Sequence, residues 1–306
     1  MSEYFDKKDL FLHPKTTQYG SHMVMTNVHK EKKTKYVNID TRFRDDYSYS
    51  QNANYTITLP EKITEVKSIY ITNIEIPDVL YNISALQNNN SLLITKTSNG
   101  TKYVVTVPDN KYGKIADLHT ALNTVIRAAT SDNNITVSLN SFNKSQIAST
   151  TNAYTINFAV DSSGNFDKSL LNSKLGWLMG FRSISYTISS TKTISAEALP
   201  DMFGPKYVYL AIDEFSNGNA RSFISPLPRS TINKNIVARI SINTATFGFG
   251  SLISANRADG SMVSDRREYK GKVDLQKLNV QILNEYGNPV SLNGLDFSFC
   301  MEVEHE

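Results

Sequence analysis

The stretch YVNIDTRFRDDY (residues 36–47) gathers two arginines and three aspartates around an alternating apolar core. Asp40, Arg42, Asp45 and Asp46 have the side-chain types that an acid/base site needs. Laid on a strand, however, Asp40, Arg42 and Arg44 share one face, opposite Ile39, Thr41 and Phe43. Arginine–carboxylate pairs in that position fix a strand end through bidentate hydrogen bonds. The cluster therefore reads as an anchor. Exposed pairs of this kind contribute about 0–1 kcal/mol, whereas under a covering neighbour the loss of one partner becomes costly.

The other candidate chemistry is weaker still. Asp213 and Glu214 are adjacent, and adjacent strand residues point to opposite faces, so a glycosidase-type carboxylate pair is not expected there. The five histidines are His13, His22, His29, His119 and His305, with no short zinc-binding spacing, and His119 is read as a surface or boundary residue of a helix. Cys300 stands alone, which rules out an internal disulfide and fits a reducing compartment. The glycines of TFGFGSL (246–252) lack the Gly-Lys-Ser/Thr ending of a phosphate loop, and no G-x-S-x-G elbow nominates a serine. No catalytic, cofactor-binding or metal-binding residue is assigned, and the chain is expected not to be an enzyme.

The elements that would position these residues are mostly strands. In NYTITLP, Tyr55, Ile57 and Leu59 alternate with threonines up to Pro60. In ITEVKSIYITNIEIP the apolar phase changes from Ile69 and Ile71 to Ile74 and Ile76. That pattern requires either two covered faces or a bulge near Thr72, before Pro77 ends the run. SLLITKTSNGTKYVVTVP reads as a hairpin about Asn99-Gly100. A single helix is predicted in GKIADLHTALNTVIRAAT, with Ile115, Leu118, Leu122, Val125 and Ile126 on one stripe. Further strands are NITVSL (134–139), AYTINFAV (153–160), FRSISYTIS (181–189), KYVYLAID (206–213), NIVARISIN (235–243), KVDLQKLNVQIL (272–283) and LDFSFCMEVE (295–304). In the last, Leu295, Phe297, Phe299, Met301 and Val303 point inward and Cys300 lies on the outer phase.

With 306 residues, 16 Tyr, 14 Phe and many β-branched residues, the chain fits one large all-β domain. The expectation is a single jelly-roll β-sandwich over 36–306, with a small inserted α+β elaboration at about 112–175 and an extended N-terminal arm over 1–35. The formal charge of +3 is too small to imply a specific nucleic-acid partner. The local basic cluster of His29, Lys30, Lys32, Lys33 and Lys35 reads as a solvated arm. The opening residues hold no apolar run of signal-peptide length.

YVNIDTRFR followed by NYTITLPEKITEVKSIYITNIEIPDVLYNIS resembles the opening of the penton and penton-like minor capsid proteins of nucleocytoplasmic large DNA viruses. LGWLMGFR (175–182), KYVYLAIDEF (206–215), VPDNKY (107–112) and the closing segment 267–304 are similar to stretches of the same family. The resemblance spans about residues 36–304. It implies a jelly-roll capsid protein without cofactors, in the virion at the capsid vertex and assembled in the host cytoplasm. Its partners would be itself, as a homopentamer, and the capsomers of the major capsid protein. Minor capsid proteins or the inner membrane surface would meet the arm. A cement protein between capsomers and a carbohydrate- or receptor-binding module, presenting Tyr47, Tyr49 and Tyr81, are the alternative roles. Within LGWLMGFR, Gly176 and Gly180 permit a bend, and Trp177 and Phe181 read as a core corner between two sandwich strands. The alternative there puts Trp177 or Arg182 in a subunit interface.

Overall fold

The computed structural model describes residues 32–48, 51–167, 170–215, 223–227, 230–232, 235–242 and 248–306. In chain order the strands are β1 (Lys33–Asp40), β2 (Asn54–Pro77), β3 (Ser91–Lys96), β4 (Lys102–Thr106), β5 (Ile135–Leu139), β6 (Ser145–Ser149), β7 (Tyr154–Asn157), β8 (Ser185–Ile188), β9 (Lys192–Ser195), β10 (Tyr207–Asp213), β11 (Ser225–Leu227), β12 (Ser230–Ile232), β13 (Ile236–Ser241), β14 (Leu252–Asn256), β15 (Met262–Ser264), β16 (Arg267–Leu283) and β17 (Ser298–His305). The helices are α1 (Ile115–Thr130) and the single turn α2 (Leu175–Leu178).

Eight strands form one antiparallel sheet in the order β1-β17-β2-β16-β10-β13-β15, with β14 also paired to β2. The chain is thus mostly β, as expected, and its main body is a curled antiparallel sheet. The curl comes from the long strands. β2 runs straight through Pro60, which was expected to end it, because β2 carries extra residues between Thr58 and Ile63 that β16 does not match. Proline lacks the ladder N–H and is tolerated at such a bulge. A second irregularity falls near Thr72, the bulge being one of the two readings that the change of apolar phase left open. Cys300 pairs with Asn73 and Met301 with Ile71, so Thr72 is left unmatched and its hydroxyl donates to the Cys300 carbonyl at 3.1 Å. The extra residue restores Ile74 and Ile76 to the inner face beside Ile69 and Ile71, all four essentially inaccessible. From β17 come Phe299, Met301 and Val303; Leu295, expected to join them, precedes the strand and is exposed.

A second, separate core lies between β2 and β10. It runs from Ile83 to Ala196 and is built from α1, the sheet β4-β3-β7-β8 and the sheet β5-β6-β9. The elaboration expected at 112–175 is therefore wider. The β3–β4 hairpin and β8 looked like sandwich strands because period-two alternation is the same in either core. The hairpin itself stands, with a loop longer than the Asn-Gly pair, closed by Lys96 N–H to the Thr101 carbonyl at 2.8 Å. The helix buries Leu118, Leu122 and Ile126. Asn123 fastens it to β5 by bonding both the N–H and the carbonyl of Val137, at 2.7 and 2.8 Å.

The arm also ends earlier than residue 35, since β1 begins at Lys33. Lys33, Lys35 and their neighbours are ordered by the full ladder with β17, from Lys33↔His305 to Asp40↔Ser298. Residues 1–31, Lys30 among them, lie outside the described ones.

Candidate functional site

At the end of β1 the chain does not continue as a strand. Thr41–Phe43 form a 3-10 turn capped by Asp40, whose carboxylate accepts the Arg42 N–H at 2.9 Å. Asp40, Arg42 and Arg44 therefore do not share a strand face, because the turn rotates each side chain relative to the last. The pairing itself is present. Arg42 Nε lies 3.1 Å from both Asp40 oxygens and Nη2 lies 2.6 Å from Oδ2, which holds the Asp40 carboxyl below the ordinary carboxylate range. Arg44 turns the other way, inward, to Asp296 at 3.0 Å and to the Thr41 carbonyl at 2.7 Å, with Tyr47 stacked 4.0 Å from its guanidinium. Thr41 closes the same knot by donating to Asp296 at 2.7 Å. Asp45 accepts from the Thr58 hydroxyl and N–H, joining the turn to β2. Asp40, Arg42, Arg44 and Asp45 are thus spent on anchoring, and Asp296 was missed because it lies 252 residues from Arg44.

The anchor frames an open rim. Within the described residues β1 ends the sheet path, so its outer edge is unpaired. Beside that edge runs a groove of about 500 Å³, floored by Val37, Ile39, Ile57, Leu59 and Ile63 and bridged by Lys35 to Glu61 at 2.5 Å. Across it stands the Pro60 bulge of β2. Tyr36 (69%) and Phe43 (73%) are exposed there. Lys32 reaches Glu304 at 2.6 Å, so two of the basic residues assigned to the arm, Lys32 and Lys35, are instead tied to the sheet.

LGWLMGFR sits in the second core and not between two strands of the main sheet. Phe181 is fully buried, stacked on Phe158 with centroids 5.1 Å apart and met edge-on by Tyr186. Gly176 and Gly180 are required there. A Cβ on Gly176 would lie 2.3 Å from the Phe158 ring, and one on Gly180, at φ +96°, would lie 2.2 Å from the Ala198 carbonyl oxygen. Arg182 stacks 4.1 Å from the Trp177 ring and donates to the Trp177 carbonyl at 2.9 Å. Trp177 itself is half-buried, at the mouth of a cleft between the two cores.

Two further groups depart from the sequence reading or refine it. Glu214 is buried in an ion pair with Arg267 at 3.0 Å, while Asp213 caps the following turn through the Phe215 N–H. His119, expected at the surface, is buried and hydrogen-bonded to Ser145 at 3.1 Å. The sign was available in its spacing, one residue after Leu118 and three before Leu122 on the buried stripe. Burial pulls its pKa down to about 4, so on acidification the unfolded chain takes up the proton first. Stability present above the ordinary value of 6.5 is lost as pH falls toward 4, by about 2–3 kcal/mol from this group. Urea titrations at pH 7 and pH 4 are expected to show a smaller loss for His119→Gln than for the native chain. An equal loss would mean that His119 does not contribute.

The fold defines the class: a mostly β protein built on a curled antiparallel sheet and bearing a mixed helix–strand lobe. Among solved structures, the chain is similar to a selenomethionine-labelled mavirus penton protein at 10% sequence identity and a TM-score of 0.43, over 90% of this chain and 99% of that one. No protein-family model matches the chain, and no curated protein matches it. Among the described residues no group of three or more His, Cys, Asp or Glu side chains is gathered as a metal site would need, and no helix is long and apolar enough to cross a membrane.

Proposed function

We propose that this chain is a structural capsid protein without catalytic activity, the penton of an icosahedral large DNA virus. Its jelly-roll-type body would close as a homopentamer at the five-fold vertex and abut the surrounding major-capsid capsomers. The order of capsid-like segments along the sequence supports this reading, and the β1 rim is the observation that carries it. A strand edge unpaired among the described residues, two exposed aromatic side chains and an apolar groove lie together, held in place by ion pairs that leave their own charges satisfied. Such a rim favours binding of another protein surface.

The sheet path ends on two unlike strands among the described residues. β1 presents Tyr36 and β15 presents Val263, 53% exposed. Unlike patches meet head to tail, and a head-to-tail contact that closes on itself makes a ring. Each contact needs about 800 Å² per partner to be stable. Tyr36→Asp combined with Phe43→Asp is expected to weaken self-association by about thirtyfold or more, as loss of central aromatic anchors does. Sedimentation velocity over a concentration series reads this directly. Unchanged association with an unchanged melting temperature would exclude the β1 rim as the contact.

A further inference from the structure

The cleft between the two cores has no part in the rim. It holds about 260 Å³ and is formed by four segments far apart in sequence: the stretch after β2 (Asn82, Gln87 and Asn89), α2 with the turn leading into it, the return to the main sheet at Asp201–Lys206, and the loop after β16. Its lining is chemically distinctive. Most buried or half-buried polar groups in a folded chain are hydrogen-bonded. Here the side chains of half-buried Asn172 and Tyr286, the indole N–H of Trp177 and the exposed Asn288 side chain all border the cleft; none has a hydrogen-bond partner among the described residues, so each is open to a ligand in place of water. Glu285 also lines the cleft, and one of its carboxyl oxygens, Oε2, is buried behind that lining with no partner among the described residues. These groups offer both donors and acceptors around one half-buried aromatic ring.

The frame behind them is rigid. Arg182 covers one face of Trp177 and fixes the ring. The Asn284 carboxamide holds the loop by accepting the N–H groups of Tyr286 and Asn288, both at 3.0 Å. Asn82 ties the lobe's two ends together by donating to the carbonyls of Tyr112 and Met202 at 3.0 and 2.9 Å. The groups at the surface of the cleft are therefore positioned, and the structure has left them unspent.

We propose that this cleft binds an uncharged saccharide, with a pyranose ring on the Trp177 indole and its hydroxyls shared among Asn172, Glu285, Tyr286 and Asn288. Sugar rings present an apolar C–H face, which suits an aromatic platform, and a rim of hydroxyls that each donate and accept. The charge around the cleft argues for a neutral ligand. Lys206, the one Lys or Arg side chain lining the cleft among the described residues, pairs with Asp201 at 3.2 Å, which disfavours a phosphate or a sialic acid. Burial raises the Glu285 carboxyl toward its neutral form, in which it too donates and accepts.

A saccharide of this chemistry reaches the protein either free or as the end of a surface glycan, and two measurements on the full chain separate these sources. Saturation-transfer NMR with glucose, galactose and mannose tests the free sugars. An array of neutral and sialylated glycans tests the attached ones. Transfer to at least one free hexose is expected, and retention of neutral-capped glycans on the array would assign a glycan end as the source. Trp177→Ala is expected to weaken binding about tenfold or more, and Asn288→Ala, at an exposed position that does not report on folding, by a smaller measurable factor. No transfer to any free hexose together with an empty array overturns the proposal. Binding restricted to sialylated glycans, or binding unchanged in both variants, overturns it equally.

Discussion

Arg267→Ala is expected to destabilise the chain by about 3–5 kcal/mol, enough to leave a domain of ordinary stability close to unfolding. Arg267 opens β16 and is essentially inaccessible, as is Glu214 at the end of β10. One guanidinium nitrogen donates to Glu214 at 3.0 Å and to the Ile212 carbonyl at 3.1 Å, and another reaches the Ile236 carbonyl at 3.3 Å. The residue thus joins β10, β13 and β16 at one point. Truncating it strands a carboxylate and two carbonyls away from water, and that desolvation dominates the loss. The control is the joint replacement Arg267→Met with Glu214→Leu, which removes both charges and keeps the volume; it is expected to recover most of the stability. Chemical denaturation of the three proteins decides the matter. A loss below about 1 kcal/mol for Arg267→Ala would mean that the pair is effectively solvated.

The second large effect is expected at Gly180. At φ +96° an alanine is strained whatever the space, and here its Cβ would also fall 2.2 Å from the Ala198 carbonyl oxygen. That carbonyl belongs to backbone held close by the Ala198 N–H, which donates to the Gly180 carbonyl at 3.0 Å, so neither segment yields easily. Strain of this kind costs about 1–3 kcal/mol, and displacement of the packed backbone adds a comparable amount. Gly180→Ala is therefore expected to loosen the second lobe first. Hydrogen exchange should accelerate across β8, β9 and α2 while β2, β16 and β17 remain protected. Uniform exchange across both cores would show that they unfold as one unit.

Much of the fold was legible because its signals are local. The stripe of α1 and the alternation of Phe297, Phe299, Met301 and Val303 each follow from a few neighbouring residues, and the bulge at Thr72 follows from one break in phase. The boundary between the two cores was not legible, since β3 and β8 alternate just as the main-sheet strands do. Pro60 misled for a related reason: a proline ends a regular strand, but here it sits in a bulge that only the partner β16 defines. At the β1 rim, the pairing of Asp40 with Arg42 could be read from nearby residues. The Arg44–Asp296 pair, the groove beside β1 and the cleft at Trp177 could not, because each is made by segments brought together only by the sheet's curl and the return of the chain from the second lobe.

The central claim is that this chain assembles with copies of itself through its sheet rims. Native mass spectrometry of the full chain, from a solution at physiological ionic strength, tests it most directly. The account predicts a closed species at five times the 34.3 kDa chain mass that falls apart to the single chain when Tyr36 and Phe43 are both replaced by aspartate. A single-chain mass at every concentration would contradict it.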